Sequence, residues 1–214
     1  MKVIPREAKR ITYSTEIRNL KKRLKLSDFQ RSVVIGSLLG DGCLCENWSK
    51  TNFRFKVEHS PKQSAYVVWK YRALSEWVLT KPRMTKTSVG FRTVSHPEFT
   101  ELRKAFYKNS TKVVPRQIDE FLKKPLIMAV WFMDDGNAIF RNGRVYGYHL
   151  NTQSFTKAEN ERLAKSLKRI YAIEANLEKN HGKWRLRIMK EGSRSRFVKL
   201  IKKFIVKDLS YKIS

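Results

Sequence analysis

Cysteine is scarce in this 214-residue chain: Cys43 and Cys45 are the whole complement. They are i, i+2 neighbours with no second Cys or His pair to complete a structural zinc site, so they read as reduced structural thiols of an intracellular protein. The four histidines, His59, His96, His149 and His181, show no metal-ligand spacing and read as surface or strand residues. No glycine-rich phosphate loop is present, which argues against an ATP-driven enzyme. The longest apolar run, Leu126 to Met133, is eight residues, far short of the ~20 a membrane-spanning helix needs. The chain starts Met1-Lys2-Val3-Ile4-Pro5-Arg6 without an apolar h-region, so no secretory leader is expected.

Acidic residues are the next shortage. There are 19 Asp plus Glu against 46 Lys plus Arg, for a formal net charge of +27. Such an excess favours a polyanionic partner. A hydrophobic content of 41% and an aromatic content of 12% supply a real core, which excludes a disordered basic tail. Basic residues outnumber acidic ones in every stretch: nine to two over Met1–Leu26, sixteen to nine over Ser27–Glu120, twenty-one to eight over Phe121–Ser214. Ribosomal and membrane-surface proteins also reach this balance. A peripheral membrane protein concentrates its charge on one helix or tail, however, and charge spread along the chain suits an extended nucleic acid better.

Against this background two apolar runs each end in aspartate and glycine. They are Val34-Ile35-Gly36-Ser37-Leu38-Leu39-Gly40-Asp41-Gly42 and Met128-Ala129-Val130-Trp131-Phe132-Met133-Asp134-Asp135-Gly136. A carboxylate at the buried end of an apolar helix is costly unless a cation meets it, so two such ends suggest two halves of one cation site. Asp41 and Asp135 both stand directly before the glycine, which favours Asp135 over Asp134 as the second acid.

The two acids lie 94 positions apart and are followed by similar patterns. After Asp41 come strand-like runs at Cys43–Ser49 and Asn52–His59, a helical spacing of Val67, Tyr71, Leu74 and Val78, a hairpin over Arg83–Lys86 and Val89–Ser95, and a helix carrying Phe99, Leu102 and Phe106. After Asp135 come strands at Ala138–Arg141 and Val145–Asn151 and a helix with Leu163, Leu167 and Ile170. A strand pair at Ala175–Lys179 and Trp184–Ile188 follows, then a helix with Phe197, Leu200, Ile201 and Phe204. Each half reads α-β-β-α-β-β-α. The predicted fold is therefore α+β, with a basic arm (Met1–Leu26) ahead of two repeats, 27–120 and 121–214. Lys112 and Lys212 follow the third helix of their halves, 71 and 77 positions after the two acids.

Phe53, Phe55 and Val57 alternate with Arg54, Lys56 and Glu58. Trp184, Leu186 and Ile188 alternate with Lys183, Arg185 and Arg187. One face packs on helices and the other carries charge. The second strand is uniformly basic, which favours a sheet facing nucleic acid over an ordinary solvated face.

These motifs, their spacing and the element order resemble the LAGLIDADG homing endonucleases of the single-chain, two-repeat type, from about Ser27 to the C-terminus. Trp131-Phe132-Met133-Asp134-Asp135-Gly136 with Leu150-Asn151-Thr152-Gln153-Ser154-Phe155 is similar to the monomeric, intron-encoded mitochondrial members. The resemblance implies two pseudo-symmetric repeats whose antiparallel sheets form saddles over DNA. It also implies motif helices packed side by side at the central interface, with Gly36 and Gly40 allowing close approach. It implies a monomeric, site-specific, double-strand endonuclease acting on a long pseudo-palindromic target and leaving 3′ overhangs. Asp41 and Asp135 would bind Mg²⁺, with Mn²⁺ as a substitute, alongside the carbonyls of Gly40 and Asp134; an all-oxygen donor set suits such an ion. Lys112 and Lys212 would polarise water or stabilise charge at the phosphate. DNA contacts are implied for Arg54, Lys56, Arg92, Arg141, Arg144, Asn151, Gln153, Lys183, Arg185 and Arg187. Val130 and Asp134 stand where the family usually has small residues, so the helix contact must be asymmetric. The N-terminal arm reads either as a phosphate grip or as a solvated leader. An RNA-binding intron maturase and a non-cleaving DNA-binding regulator are the competing functions; retention of both acids and both lysines argues against the regulator. His149-Leu150-Asn151 matches a ββα-metal nuclease poorly. An intracellular setting is expected, in a prokaryotic cytoplasm or a eukaryotic organelle.

Overall fold

Local signals in the chain set the helix starts. Ser27 and Gln30 form a reciprocal cap: the Gln30 amide donates to Ser27 Oγ at 3.2 Å, and the Ser27 amide donates to Gln30 Oε1 at 3.1 Å. Thr156 and Glu159 repeat this device, and Pro125 occupies a first-turn position where its missing N–H costs nothing. The protein, described by a computed structural model over residues 15–214, is divided into two compact units. The first is Met1–Val34, of which 15–34 are described, with Asp41–Arg103; the second is Ile35–Gly40 with Lys104–Ser214.

In chain order the elements begin with α1 (Thr15–Arg23), α2 (Asp28–Leu39), β1 (Cys43–Glu46), β2 (Phe53–His59), α3 (Ser64–Ala73), β3 (Arg83–Met84), β4 (Val89–Arg92) and α4 (Pro97–Phe106). A small hairpin, β5 (Tyr107–Lys108) and β6 (Thr111–Lys112), and a short helix α5 (Ile118–Leu122) follow. The second repeat is α6 (Pro125–Asp135), β7 (Gly136–Arg141), β8 (Arg144–Leu150), α7 (Lys157–Tyr171), β9 (Asn176–Asn180), β10 (Lys183–Ile188) and α8 (Glu191–Ile201). The fold is α+β, and the α-β-β-α-β-β-α order stands in both halves.

Both sheets are antiparallel and share one strand order: β1-β2-β4-β3 in the first, β7-β8-β10-β9 in the second. Three hairpins close with two positive-φ residues each, Asn109-Ser110, Asn142-Gly143 and His181-Gly182; such turns match the twist of the flanking strands. In the first unit, the Phe55 and Phe99 rings stack at 6.4 Å and Trp77 meets Phe99 edge-on at 5.1 Å. In the second, Phe132, Tyr148 and Phe197 form a mutual ring cluster at 5.2–5.8 Å. Every residue of α6 from Leu126 to Asp134 is buried, so this helix lacks an amphipathic stripe.

Several elements depart from expectation. The helical spacing through Val78 breaks at Ala73. A 3₁₀ turn, Ser75–Trp77, follows, and Val78 is extended. Burial of Trp77 against His96 and Phe99 outweighs continuation of the period. The first strand stops at Glu46 instead of Ser49, because Asn47 turns the chain by accepting from the Thr51 amide and its own amide donates to the Asn52 carbonyl. The last helix ends at Ile201, and Phe204 lies on a 3₁₀ turn. Of the N-terminal arm, residues 1–14 lie outside the described residues. The rest is helix α1, with Ile17 buried, and the link that follows it, with Leu26 buried. Lys21 Nζ donates to Ser95 Oγ at 3.0 Å, and burial holds its pKa below the usual lysine range. Among the described residues no helix is long and apolar enough to cross a membrane.

Candidate active site and nucleic-acid interface

The last five residues of α2 and the following Gly40 belong to the second unit, where they lie against α6. A Cβ built on Gly36 would stand 2.6 Å from Val130 Cβ and 2.8 Å from the Ile127 carbonyl oxygen. One on Gly40 would stand 2.4 Å from Asp134 Cβ. Glycine on one helix is thus matched by the larger Val130 and Asp134 on the other, the asymmetry expected from sequence.

A helix C-terminus presents carbonyls without intrahelical donors and carries partial negative charge. A lysine meets each motif helix there. Lys112 Nζ, on β6, donates to the Gly40 carbonyl at 2.6 Å. Lys212 Nζ, on the 3₁₀ turn Lys207–Lys212, donates to the Met133 carbonyl at 2.6 Å and the Asp134 carbonyl at 3.3 Å, and is 8% exposed. Lys112 and Lys212 thus each donate to the carbonyl of the residue that precedes the motif aspartate.

The acids differ in setting. Asp134 is buried in the helix contact, while Asp135 is half-buried and its carbonyl accepts from the Asn151 amide at 2.9 Å. Asn151 Nδ2 then donates to Asn137 Oδ1 at 3.0 Å. In the first unit Asp41 is exposed, with Oδ2 3.4 Å from His59 Nδ1. His59 Nε2 lies 3.2 Å from the Nζ of Lys70, which is fully buried and 4.4 Å from the Tyr66 ring centroid.

Among the described residues no group of three or more His, Cys, Asp or Glu gathers to hold a metal. Each motif instead offers one carboxylate and main-chain oxygens. That hard donor set fits an ion which keeps most of its waters, as Mg²⁺ does.

The basic candidates on the first sheet share one face. Lys56 pairs across with Arg92, and Arg54 follows at i−2 of Lys56. Lys56 also meets Glu58 at 2.5 Å; this hydrogen bond holds the lysine pKa up and the glutamate pKa down. On the second sheet, Arg141 and Arg144 face each other across the hairpin end, exposed, and Arg141 lies over the Tyr146 ring at 5.4 Å. Lys183 is exposed at the β9–β10 hairpin, and Gln153 Nε2 reaches Asn180 Oδ1 at 3.4 Å.

This pattern of paired motif helices, matched lysines and twin four-stranded sheets has a counterpart among known sequences. The family model described as the LAGLIDADG DNA endonuclease family matches residues 31–195. The chain belongs to the LAGLIDADG DNA endonuclease family. DNA endonuclease I-ChuI of Chlamydomonas applanata is 28% identical over 213 residues, covering 89% of this chain and 97% of that protein. The cytochrome b mRNA maturase bI2 of Debaryomyces hansenii is 27% identical over 194 residues, covering 85% of this chain and 72% of that protein. The chain spans 47% of the length of another relative, protein RecA of Mycobacterium shimoidei, at 28% identity. The structure of the homing endonuclease I-WcaI bound to its DNA recognition sequence superposes with a TM-score of 0.87 at 25% identity, covering 94% of this chain and 93% of that one.

For this LAGLIDADG chain, the uniformly basic strand expected at β10 is tempered by its neighbour. Glu178, opposite Arg185 on β9, accepts from Arg185 Nε at 2.7 Å and Arg187 Nη1 at 2.9 Å, and lies 2.9 Å from His149 Nε2. Burial would raise the Glu178 carboxyl. The Arg185 hydrogen bond and charge, with His149 and Arg187, outweigh it and hold the pKa below the usual range. Reading β10 alone hides this acid, because cross-strand register brings it in. His59 and His149 are buried strand residues, not surface ones. The pairing of His59 with Asp41 is set by the fold, although the parity of His59 with Phe55 and Val57 already places it on the inward face of β2.

Proposed function

We propose that this chain is a monomeric, site-specific DNA endonuclease that hydrolyses both strands of a long, roughly pseudo-palindromic target with a divalent cation, Mg²⁺ or Mn²⁺, leaving 3′ overhangs. The observation that carries the reading is the twin arrangement at the motif helices. Each helix ends in a glycine- or aspartate-borne carbonyl with a lysine ammonium seated on it, and an aspartate stands before the next glycine. Asp41 and Asp135, with the Gly40 and Asp134 carbonyls, are the residues that would hold the cation. When bound, it supplies a water of lowered pKa and neutralises phosphate charge. The chain's own contribution is electrostatic. Lys112 and Lys212 are held in fixed places by main-chain carbonyls, so they cost little reorganisation when negative charge develops on the phosphate.

Arg54, Lys56 and Arg92 on one sheet, and Arg141, Arg144, Lys183, Arg185 and Arg187 on the other, supply the phosphate and base contacts. Asn151 and Gln153 join them at the start of the connection into α7. Arginine suits guanine edges through its planar fork, and Glu178 fixes the orientation of two such forks. The likeness to I-WcaI, whose structure holds its DNA recognition sequence, supports a DNA partner, and an intracellular setting follows from that substrate.

A second reading, an RNA-binding intron maturase, draws support from the similarity to the mRNA maturase bI2. The deciding experiment incubates purified protein and Mg²⁺ with a randomised duplex library, then sequences the ends. Discrete cuts with 3′ overhangs establish the nuclease. Intact DNA together with tight binding to intron RNA establishes the maturase.

A further inference from the structure

The proposed DNA chemistry leaves Cys43 and Cys45 unused. They lie on one face of β1, the edge strand of the first sheet, on either side of buried Leu44. Both thiols are half-exposed, and their sulfurs are 3.6 Å apart. Lys56 is the cross-strand partner of Cys43 and Arg54 that of Cys45. Arg103 is fixed beside them, donating to the Leu44 carbonyl at 3.2 Å and stacking over Phe53 at 4.9 Å. We propose that Cys43 and Cys45 form a reversible dithiol–disulfide modification site that reacts with small anionic disulfides of the glutathione class.

The sulfur separation and the cations beside it allow a two-step exchange. One thiol of the pair attacks one sulfur of the oxidant as its thiolate, forming a mixed disulfide, and its proton goes to the small thiolate released. The other thiol, 3.6 Å away, gives up its proton to solvent and attacks the protein sulfur of that mixed disulfide, releasing the second small thiol. Two protein thiols are oxidised and one small disulfide is reduced to two thiols. Two steps along a strand separate the Cα atoms by about 6.4–6.8 Å, the upper end of what a disulfide spans. A bond at that limit, half-exposed on an edge strand, is readily reduced, which makes the site reversible and not structural. The cations around it attract the carboxylates of an oxidant such as glutathione disulfide.

The test treats the fully reduced 214-residue protein with glutathione disulfide and follows it by intact mass and thiol titration. The expected product has lost both thiols and two hydrogens, stays monomeric, and is restored by dithiothreitol. Cys43→Ser, which keeps a hydroxyl beside Cys45, should stop at a stable adduct of one glutathione. Cys45→Ser should likewise stop at an adduct of one glutathione, on Cys43. Stable glutathione adducts on both cysteines of the wild-type chain, disulfide-linked dimers as the product, or no reaction under conditions that oxidise a free dithiol peptide would each overturn the assignment. These readouts require no DNA.

Discussion

The Cβ of Asp134 fills the space that a side chain on Gly40 would enter, 2.4 Å from where its Cβ would sit. Successive side chains on a helix point about 100° apart, so an Asp134 committed to this contact turns Asp135 away from it, which agrees with their different burial. Gly36 is equally confined, by Val130 and by the main-chain oxygen of Ile127, which cannot move aside as a side-chain tip can. Gly36→Ala gains up to ~1 kcal/mol of helix propensity but overpacks a tight contact, at about 1–3 kcal/mol. The net expectation is a lower urea midpoint with an unchanged slope; a higher midpoint would show that the helices part easily.

Asp41→Asn and Asp135→Asn should each reduce double-strand cleavage roughly a hundredfold or more while duplex binding persists, since each removes a carboxylate proposed to hold the cation and leaves the sheets intact. Cleavage at the wild-type rate by either variant would sink the assignment. Binding is read separately by fluorescence anisotropy in Ca²⁺.

Lys212 is nearly buried on two carbonyls, whereas Lys112 is half-exposed on one. Lys212→Ala should therefore carry a stability cost that Lys112→Ala does not, about 1.5–3 kcal/mol for a charge-assisted buried hydrogen bond. Both should slow cutting, and to different extents on the two strands. Thermal melts and strand-specific nicking gels separate the two effects; equal melting temperatures would contradict the difference in burial.

Much of this arrangement is legible from residues alone, for identifiable reasons. Phe53, Phe55 and Val57 set the face of β2, because a period of two has no other solution when one side is buried. The Asp-Gly ends of two apolar runs pick out the proposed site, because a carboxylate at the end of an apolar helix is costly without a cation to meet it. Features set by tertiary pairing were beyond reach. Glu178 meets Arg185 only through the β9–β10 register, and Lys70 reaches His59 only once α3 packs on β2. The β5–β6 hairpin is two residues per strand and carries no periodicity to read.

His149 is held below the usual histidine pKa, chiefly by burial, then by Arg185 and Arg187, with Glu178 opposing. A histidine depressed in the fold is neutral there, so stability is full above the unfolded value, about 6.5, and falls as pH drops below it toward the folded pKa. Glu178, also depressed, adds loss in the same direction at lower pH. Wild-type protein should lose melting temperature between pH 7 and pH 5, and His149→Gln should flatten part of that fall. An unchanged profile would remove His149 from the explanation.

Glu178 restrains the second sheet in two ways: it offsets the charge of Arg185 and Arg187, and it holds their guanidinium planes. Glu178→Gln removes the first restraint and weakens the second. DNA binding without sequence preference grows with uncompensated cations, with a slope of about −0.9 in log K against log salt for each phosphate neutralised. Base discrimination depends on oriented forks. The variant should therefore bind random duplex several-fold more tightly at low salt, with a steeper salt dependence, while its preference for the cognate target shrinks. Competition anisotropy at two salt concentrations measures both quantities together. Tighter random binding with undiminished preference would mean that Glu178 acts through charge alone, and weaker random binding would mean that these arginines do not face DNA.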